Sequence, residues 1–368
     1  MRYIHELKDW TAFTWDELAV LKRLVELKSA HGFLLGKVEG LGFSLKTETS
    51  LNNLVYDVTK TSEIEGEFLD KDQVRSSIAR KLGLDIAGLV PSDRNVDGVV
   101  EMMLDATQNY SKRLTMKRLF GWHASLFPTG YSGLYKIEVG KWRTNSPDDP
   151  MQVVSGAIGK EVVHFEAPTS ERVSKEMKAF IDWVNRSNEH DPIIKAAIAH
   201  LWFVTIHPFD DGNGRIARGV ADMLLARADQ TSQRFYSMST AIREQRKKYY
   251  QVLEKTQKSD LDITEWLMWF LECLEQAFEN TNETLSATLQ KAKFWEKHGS
   301  TPFNGRQSKM VNKLFDGFFG VLTSSKWAKM CKCSQDTANR DINDLLKKGV
   351  LMKGEGGGRS TTYKLKVN

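Results

Sequence analysis

The chain has 368 residues, 41% of them hydrophobic and 27% charged, the balance of a globular protein long enough for two or three separately cored units. No apolar run approaches the ~20 residues of a membrane helix, the first residues carry no apolar signal segment, and three cysteines (Cys273, Cys331, Cys333) are too few for a disulfide framework. The net charge of +5 is uneven: residues 306–368 hold 13 Lys/Arg against 5 Asp/Glu, so only the basic end would face an anionic partner.

In chain order, residues 15–30 read as a helix with Leu18, Leu21, Leu24, Val25 and Leu27 on one face and Thr14 or Asp16 as its cap. Gly32, Gly36, Gly40 and Gly42 mark turns. Residues 51–65 form a second helix, Leu54, Val55, Val58 and Ile64 inward, ended by Gly66. Glu65 is badly placed there, because the C-terminal pole of a helix disfavours an acid. A carboxylate so placed points to a cationic partner elsewhere in the fold. Further helices are expected at residues 73–84, 99–110 and 114–127, with His123 on the last a core or lining residue. Between Gly130 and Pro168, turn residues separate short β-branched runs. Residues 151–156 and 162–165 flank a turn centred on Gly159 and predict a β-hairpin, with a merely structural hairpin as the competing reading.

Helices resume at residues 171–188 and 192–206, the second apolar on every side and therefore buried. It runs into His207-Pro-Phe-Asp-Asp-Gly-Asn-Gly-Arg-Ile-Ala-Arg218, and helical spacing of Ile216, Ala217, Val220, Ala221, Leu224 and Leu225 starts the next helix near Asn213. A helix N-terminus exposes backbone N–H groups and a positive pole, so this junction is an anion site. Gly212 and Gly214 leave room for a phosphate to approach the backbone, and Arg215 and Arg218 add fixed positive charge. Asp211 offers a hard oxygen for Mg²⁺. His207 is left as a proton acceptor beside the cradle. A solvated Gly/Asp turn is the alternative, but it does not require these residue types at these offsets.

The stretch resembles the signature of Fic-domain proteins, H-x-F-x-[DE]-G-N-G-R-x-x-R, with every specified position filled. The resemblance implies transfer of AMP from ATP, with Mg²⁺, to a Tyr, Thr or Ser hydroxyl of a target protein, this chain itself being one candidate target. It makes His207 the base and Asp211 the holder of Mg²⁺ between the α- and β-phosphates. The backbone of Gly212 and Gly214 and the Asn213 side chain would cradle phosphate oxygens. Arg215 would grip the β-phosphate and Arg218 the γ-phosphate, while Phe209 points into the core and Asp210 faces solvent. Thr61-x-x-x-Glu65-Gly66 matches the [ST]-x-x-x-E-[GN] inhibitory helix of some Fic proteins, in which the Glu pairs with the second motif Arg, here Arg218. The hairpin corresponds to the family's flap, whose residues (here Val153, Val154, Ser155 and Gly156) fix the target chain by strand addition. Tyr249-Tyr250 stand where the family's adenosine pocket has a Tyr pair, but Gln257 replaces its Asn.

Residues 279–305 read as a polar helical connection broken at Gly299, Pro302 and Gly305. Beyond it, helix, helix, helix and hairpin resemble a winged helix-turn-helix with a recognition helix at residues 334–348. Gln335, Thr337, Asn339 and Arg340 could reach base edges and Arg359 a phosphate, but Asp336, Asp341 and Asp344 oppose close groove docking. DNA and protein therefore stand as equal candidate partners of this module. The expectation is a mainly α protein: an N-terminal helical region at 1–98, a Fic helical core with a β-hairpin flap at 99–285, a linker at 286–305 and a winged-helix domain at 306–368. It would be cytoplasmic, without membrane contact and compatible with a homodimer. Removal of AMP by the same site, or a DNA-binding regulator that senses nucleotide, are the rival functions.

Overall fold

The computed structural model describes residues 3–84, 88–146, 148–156, 159–186, 190–315, 318, 320–354 and 361–366. The architecture is mainly α, and the chain divides into two compact units, Met1–Thr281 and Asn282–Asn368. The first unit opens with α1 (Glu17–Glu39), α2 (Phe43–Ile64), α3 (Lys71–Leu82), α4 (Arg94–Gln108) and α5 (Met116–Leu126). Two antiparallel hairpins follow, β1 (Tyr131–Ser132) with β2 (Tyr135–Lys136) and β3 (Gln152–Ser155) with β4 (Val162–Glu166). Then come α6 (Ser170–Asn185), α7 (Pro192–Ile206), α8 (Asn213–Asp229), α9 (Met238–Glu244), α10 (Arg246–Gln257) and α11 (Thr264–Lys297), the last of which continues into the second unit.

Side-chain caps set most of the helix starts. Asp16 accepts from Ala19 N, Asp70 from Gln73 N, Asp93 from Val96 N, Thr115 from Arg118 N and Asp191 from Ile193 N, each satisfying one donor that the first turn leaves unpaired. α1 departs from expectation in two respects. It runs through Gly32 and Gly36, and its buried face is Val20, Leu24, Leu27, Leu34 and Val38, while Leu18, Leu21 and Val25 are 78%, 57% and 61% exposed. Only the buried stripe extends along the whole helix, so tertiary packing outweighs the local cost of two glycines. α2 begins at Phe43, earlier than the apolar spacing suggests, and α4 runs across residues 98 and 99 without a break.

α7 is buried along nearly its whole length and packs along α8 at the centre of the unit. α2 lies against α9, α3, α4 and α8, which brings its C-terminal end to the start of α8. In β3–β4 the register slips between Val153 and Val154, and Val154, Val162 and Val163 are exposed on a sheet of two strands only.

The second unit contains α12 (Gly305–Phe315), α13 (Ser324–Cys331), α14 (Gln335–Lys347) and the hairpin β5 (Leu351–Lys353) with β6 (Tyr363–Leu365). Phe294, Met310, Val311, Leu322, Trp327, Ile342, Leu345 and Val350 form its core. Arg359 and most of the glycine-rich turn lie outside the described residues.

Candidate active site

His207 ends α7 in the left-handed region, φ 51° and ψ 59°, a conformation that a non-glycine residue keeps only when its surroundings impose it. Arg143 imposes it. That side chain is 1% exposed; its Nε donates to His207 O at 2.7 Å and its guanidinium also reaches Pro168 O, while Arg143 N donates to Pro208 O at 3.0 Å. The His207 ring has Nδ1 at 3.2 Å from Val204 O. A carbonyl only accepts, so Nδ1 carries the hydrogen and Nε2 is left with its lone pair. Burial lowers the His207 pKa to about 4, and Arg143 pushes the same way against the opposing Val204 carbonyl, Asp211 and Glu65. The imidazole is therefore neutral at pH 7.

The loop after His207 is closed by its own side chains. Asn213 accepts from Phe209 N at 3.0 Å and donates to Phe209 O at 2.8 Å, so both ends of its amide serve the loop. Phe209 is fully buried and stacks on His123 with ring centroids 4.2 Å apart. Gly140 N donates to His123 Nδ1 at 3.1 Å, which leaves Nε2–H to donate to Asp211 O at 3.2 Å; burial holds this histidine neutral, its pKa lowered to about 4. Asp210, expected in solvent, is partly exposed, and its carboxylate accepts from Glu138 N at 2.8 Å. Gly212 has φ +78°, and a Cβ there would meet Phe127 Cε2 at 2.8 Å, so only glycine fits.

Both arginines at the start of α8 are nearly inaccessible and both face carboxylates. Arg218 Nη2 donates to Glu65 Oε1 at 2.7 Å and to Thr61 O at 2.9 Å, while Nε donates to the Thr61 hydroxyl at 2.7 Å. Burial alone would disfavour the Arg218 charge; Glu65 outweighs it and raises the pKa. Gly66, at φ +89°, turns the chain directly after Glu65. Gly214 makes the approach possible, since a Cβ there would lie 2.3 Å from Glu65 Oε1. Arg215 Nη1 donates to Glu67 Oε2 at 2.6 Å, its guanidinium stacked over Phe127 at 5.1 Å. Arg218 Nη1 and Arg215 Nε are buried without hydrogen-bond partners. Two buried cations with unfilled donors at a helix N-terminus describe an anion cradle.

A cavity of about 850 Å³ opens beside this cradle, lined by Glu65, His207 and Gly214, by Val153, Val154, Ser155 and His164 of the hairpin, and by Tyr249, Tyr250, Glu254 and Gln257 of α10. Gly156 follows Ser155 directly at φ +107°. The two tyrosines differ. Tyr249 is 2% exposed, with its hydroxyl 3.1 Å from His200 Nε2 and its ring packed on Trp269. Tyr250 Oη is 3.4 Å from Glu65 Oε2, and Arg246 stacks on its ring at 5.0 Å. Gln257 donates to the Thr205 hydroxyl at 3.2 Å within the core.

Asp211 has one carboxylate oxygen on the Ser132 hydroxyl and the other 2.6 Å from its neighbour Gly212 N. Among the described residues no group of three or more His, Cys, Asp or Glu stands at metal-binding spacing. The donor set nonetheless fits Mg²⁺, which is commonly held by one or two carboxylates with phosphates and waters. Glu67, Arg143 and Ser132 lie outside the motif, and no sequence signal marks them; each depends on a long-range contact.

Two packed, buried helices, two buried arginines at the start of the second and a neutral imidazole at the end of the first make up the site. The comparisons place it: residues 113–225 match the Fic/DOC family and residues 3–84 match a domain of unknown function, DUF4172. Residues 113–225 are thus similar to a Fic/DOC domain. It is 35% identical over 105 residues to the protein adenylyltransferase Fic of Drosophila willistoni, covering 28% of this chain and 20% of that one. With the protein adenylyltransferase fic-1 of Caenorhabditis elegans it shares 41% identity over 69 residues, covering 18% and 14%. The chain therefore matches only about a fifth or less of the length of these curated relatives. A Fic family protein from Desulfovibrio desulfuricans shares the fold at TM-score 0.54 and 22% identity, covering 97% of this chain and 98% of that one.

Proposed function

We propose that the chain transfers AMP from ATP to a hydroxyl side chain of a protein, and that Glu65 restrains the reaction. One observation carries the reading: an imidazole with a free Nε2 lines the same cavity as Glu65, the carboxylate that holds the buried Arg218 guanidinium with its unfilled donor. In this reading the target hydroxyl oxygen attacks the α-phosphorus and its proton passes to His207 Nε2. The bond to the β-phosphate breaks, and Arg215 and Arg218 hold the pyrophosphate that leaves. Asp211 would hold Mg²⁺, which supplies charge neutralisation on the phosphates when bound. A phosphate chain beside His207 favours the imidazolium and so raises the pKa of the base toward its task. Tyr250 would flank the nucleoside, and the exposed edges of β3–β4 would take the target as an added strand. Tyr249 and Gln257 support the pocket wall from behind, given their contacts with His200 and Thr205.

Glu67 extends the restraint. With Glu65 on Arg218 and Glu67 on Arg215, a carboxylate occupies each cationic grip of the cradle. His207→Ala should lower labelling of protein by α-labelled ATP about 10²–10⁴-fold, the range of general base help, with binding of a fluorescent ATP analogue retained. Transfer within a few-fold of the parent would remove His207 from the chemistry.

The order helix, helix, helix, hairpin in the second unit supports a winged helix with duplex DNA as its partner. Asp341 is bound by Arg306 and Asn304, and Asp344 by Gln307 and Lys348, so two of the three acids that oppose docking are internally paired. Gln335, Asn339, Arg340, Asn343 and Lys347 are exposed on α14 and offer hydrogen bonds to base edges or phosphates. Retention on duplex DNA that weakens steeply with salt is the expected result.

A further inference from the structure

The hairpin carries a proton-handling group that the reaction above does not use. Ser155 Oγ lies 2.6 Å from His164 Nε2, and His164 Nδ1 lies 2.8 Å from Glu254 Oε2 on α10. Partial burial works against the Glu254 charge, but donors from Lys258 and His164 outweigh it and hold this carboxyl below its usual range. An ionised carboxylate only accepts, so His164 Nδ1 carries a hydrogen, and in the neutral imidazole Nε2 is then the lone-pair nitrogen. The Ser155 hydroxyl must then donate to Nε2. This is the arrangement that activates a serine: nucleophile, base, and a carboxylate that fixes the base's tautomer. Ser155 is exposed, and the His164 and Glu254 side chains are 33% and 34% exposed, so an incoming phosphate can reach the group. All three residues line the cavity that also holds His207.

We propose that Ser155 is a self-modification site, adenylylated by ATP bound in this cavity, with His164 as its base and Glu254 as the residue that positions His164. The proposal rests on the AMP-transfer reading and adds to it the residue modified. Ser155 Oγ forms a bond to the α-phosphorus of ATP, and the bond from that phosphorus to the β-phosphate oxygen breaks. The hydroxyl proton goes to His164 Nε2, and pyrophosphate is the leaving group. The product is a phosphodiester of AMP at the end of β3, where it would fill part of the cavity and stand on the edge offered to a target strand.

The test uses the full chain carrying Glu65→Gly, incubated with α-labelled ATP and Mg²⁺ alone and with a cell lysate, followed by peptide mass mapping. The expected result is an AMP adduct on the peptide holding Ser155, absent in Ser155→Ala and retained in Ser155→Thr. Glu254→Gln, whose amide can donate to Nδ1 and reverse the tautomer, should slow the adduct's formation at least about tenfold, within the range of general base effects. Thermal melting of each variant checks that equal folded protein is compared. Labelled lysate proteins with an unmodified Ser155 peptide would overturn the proposal and leave AMP transfer standing; the triad would then be only a clamp between hairpin and α10. An adduct at Ser155 that forms as fast with Glu254→Gln and with His164→Gln would overturn the assigned base. Label on no protein at all would refute the AMP-transfer reading, and this proposal with it.

Discussion

Arg215 and Arg218 sit one helical turn apart at the start of α8, yet their carboxylate partners differ in exposure. Glu65 meets a buried arginine that also holds Thr61 through two buried hydrogen bonds, and its own side chain is 29% exposed. Glu67 is 49% exposed, so solvent screens its pair with Arg215, and a contribution of about 0.2–1 kcal/mol is appropriate. Glu67→Gln should therefore strengthen binding of a fluorescent ATP analogue by roughly 1.5–5-fold, a gain absent in the Arg215→Ala background. Isothermal titration of the four proteins checks this, and an unchanged or weaker affinity in Glu67→Gln would return Glu67 to the role of a surface carboxylate. The contacts of Thr61 and Glu65 with Arg218 could be expected from sequence because Thr61-x-x-x-Glu65-Gly66 is a local pattern. Glu67 and Arg143 could not, because only the fold brings residue 67 to 215 and residue 143 to 207. The same holds for Ser155, His164 and Glu254, whose relation spans a hairpin and a separate helix.

At the scale of elements, α7 and α8 were legible because one is apolar all round and the other begins at a glycine-rich anion loop. α1 was not. Leu18, Leu21, Leu24, Val25 and Leu27 fit two overlapping stripes, and the choice between them depends on Leu34 and Val38 beyond glycines that look like breaks. Leu27→Ala should cost about 2–5 kcal/mol as a buried truncation, whereas Leu18→Ala should stay within about 0.5 kcal/mol. Urea unfolding of both variants checks this; equal losses would contradict the assigned face. α14 gives the corresponding lesson in the second unit. Its acids discouraged a DNA reading from sequence, but Arg306, which pairs with Asp341, arrives from α12 and is invisible to the helix's own pattern.

Across the first unit, buried ionisable groups act on stability in opposite directions. His123, His200 and His207 are held neutral by burial, with pKa values lowered to about 4, 3 and 4 from 6.5. The unfolded chain binds their protons first, so stability is present above pH 6.5 and is lost as pH falls toward 4. Asp57 on α2 is the reverse case: burial and the neighbouring Asp222 push its pKa up to about 8 from 3.8, against Arg234, Ser237 and the Ser239 backbone. The folded form keeps its proton longer than the unfolded form, so stability falls as pH rises through 4 to 8. Between pH 6.5 and 8 the Asp57 effect acts against a flat histidine background and should cost about 1–2 kcal/mol. Asp57→Asn should remove that alkaline loss in thermal melts at pH 6.5, 7.2 and 8.0, and an unaltered decline would exclude Asp57 as its source. Asp57 lies in α2 and Glu65 caps the C-terminal end of the same helix.

In the proposed reaction Glu65 withholds Arg218 from ATP. A bias of about 1.4 kcal/mol between the two partners of Arg218 would already hold about ten molecules in the restrained arrangement for each productive one. The direct measurement is the initial rate of AMP transfer from α-labelled ATP onto protein, for the parent chain, Glu65→Gly, and Glu65→Gly with Arg218→Ala, at equal folded concentration. The expected result is a rate about tenfold or more higher in Glu65→Gly, and loss of that gain when Arg218 is also removed. A folded Glu65→Gly chain that labels protein no faster than the parent, or a gain that survives without Arg218, would contradict it.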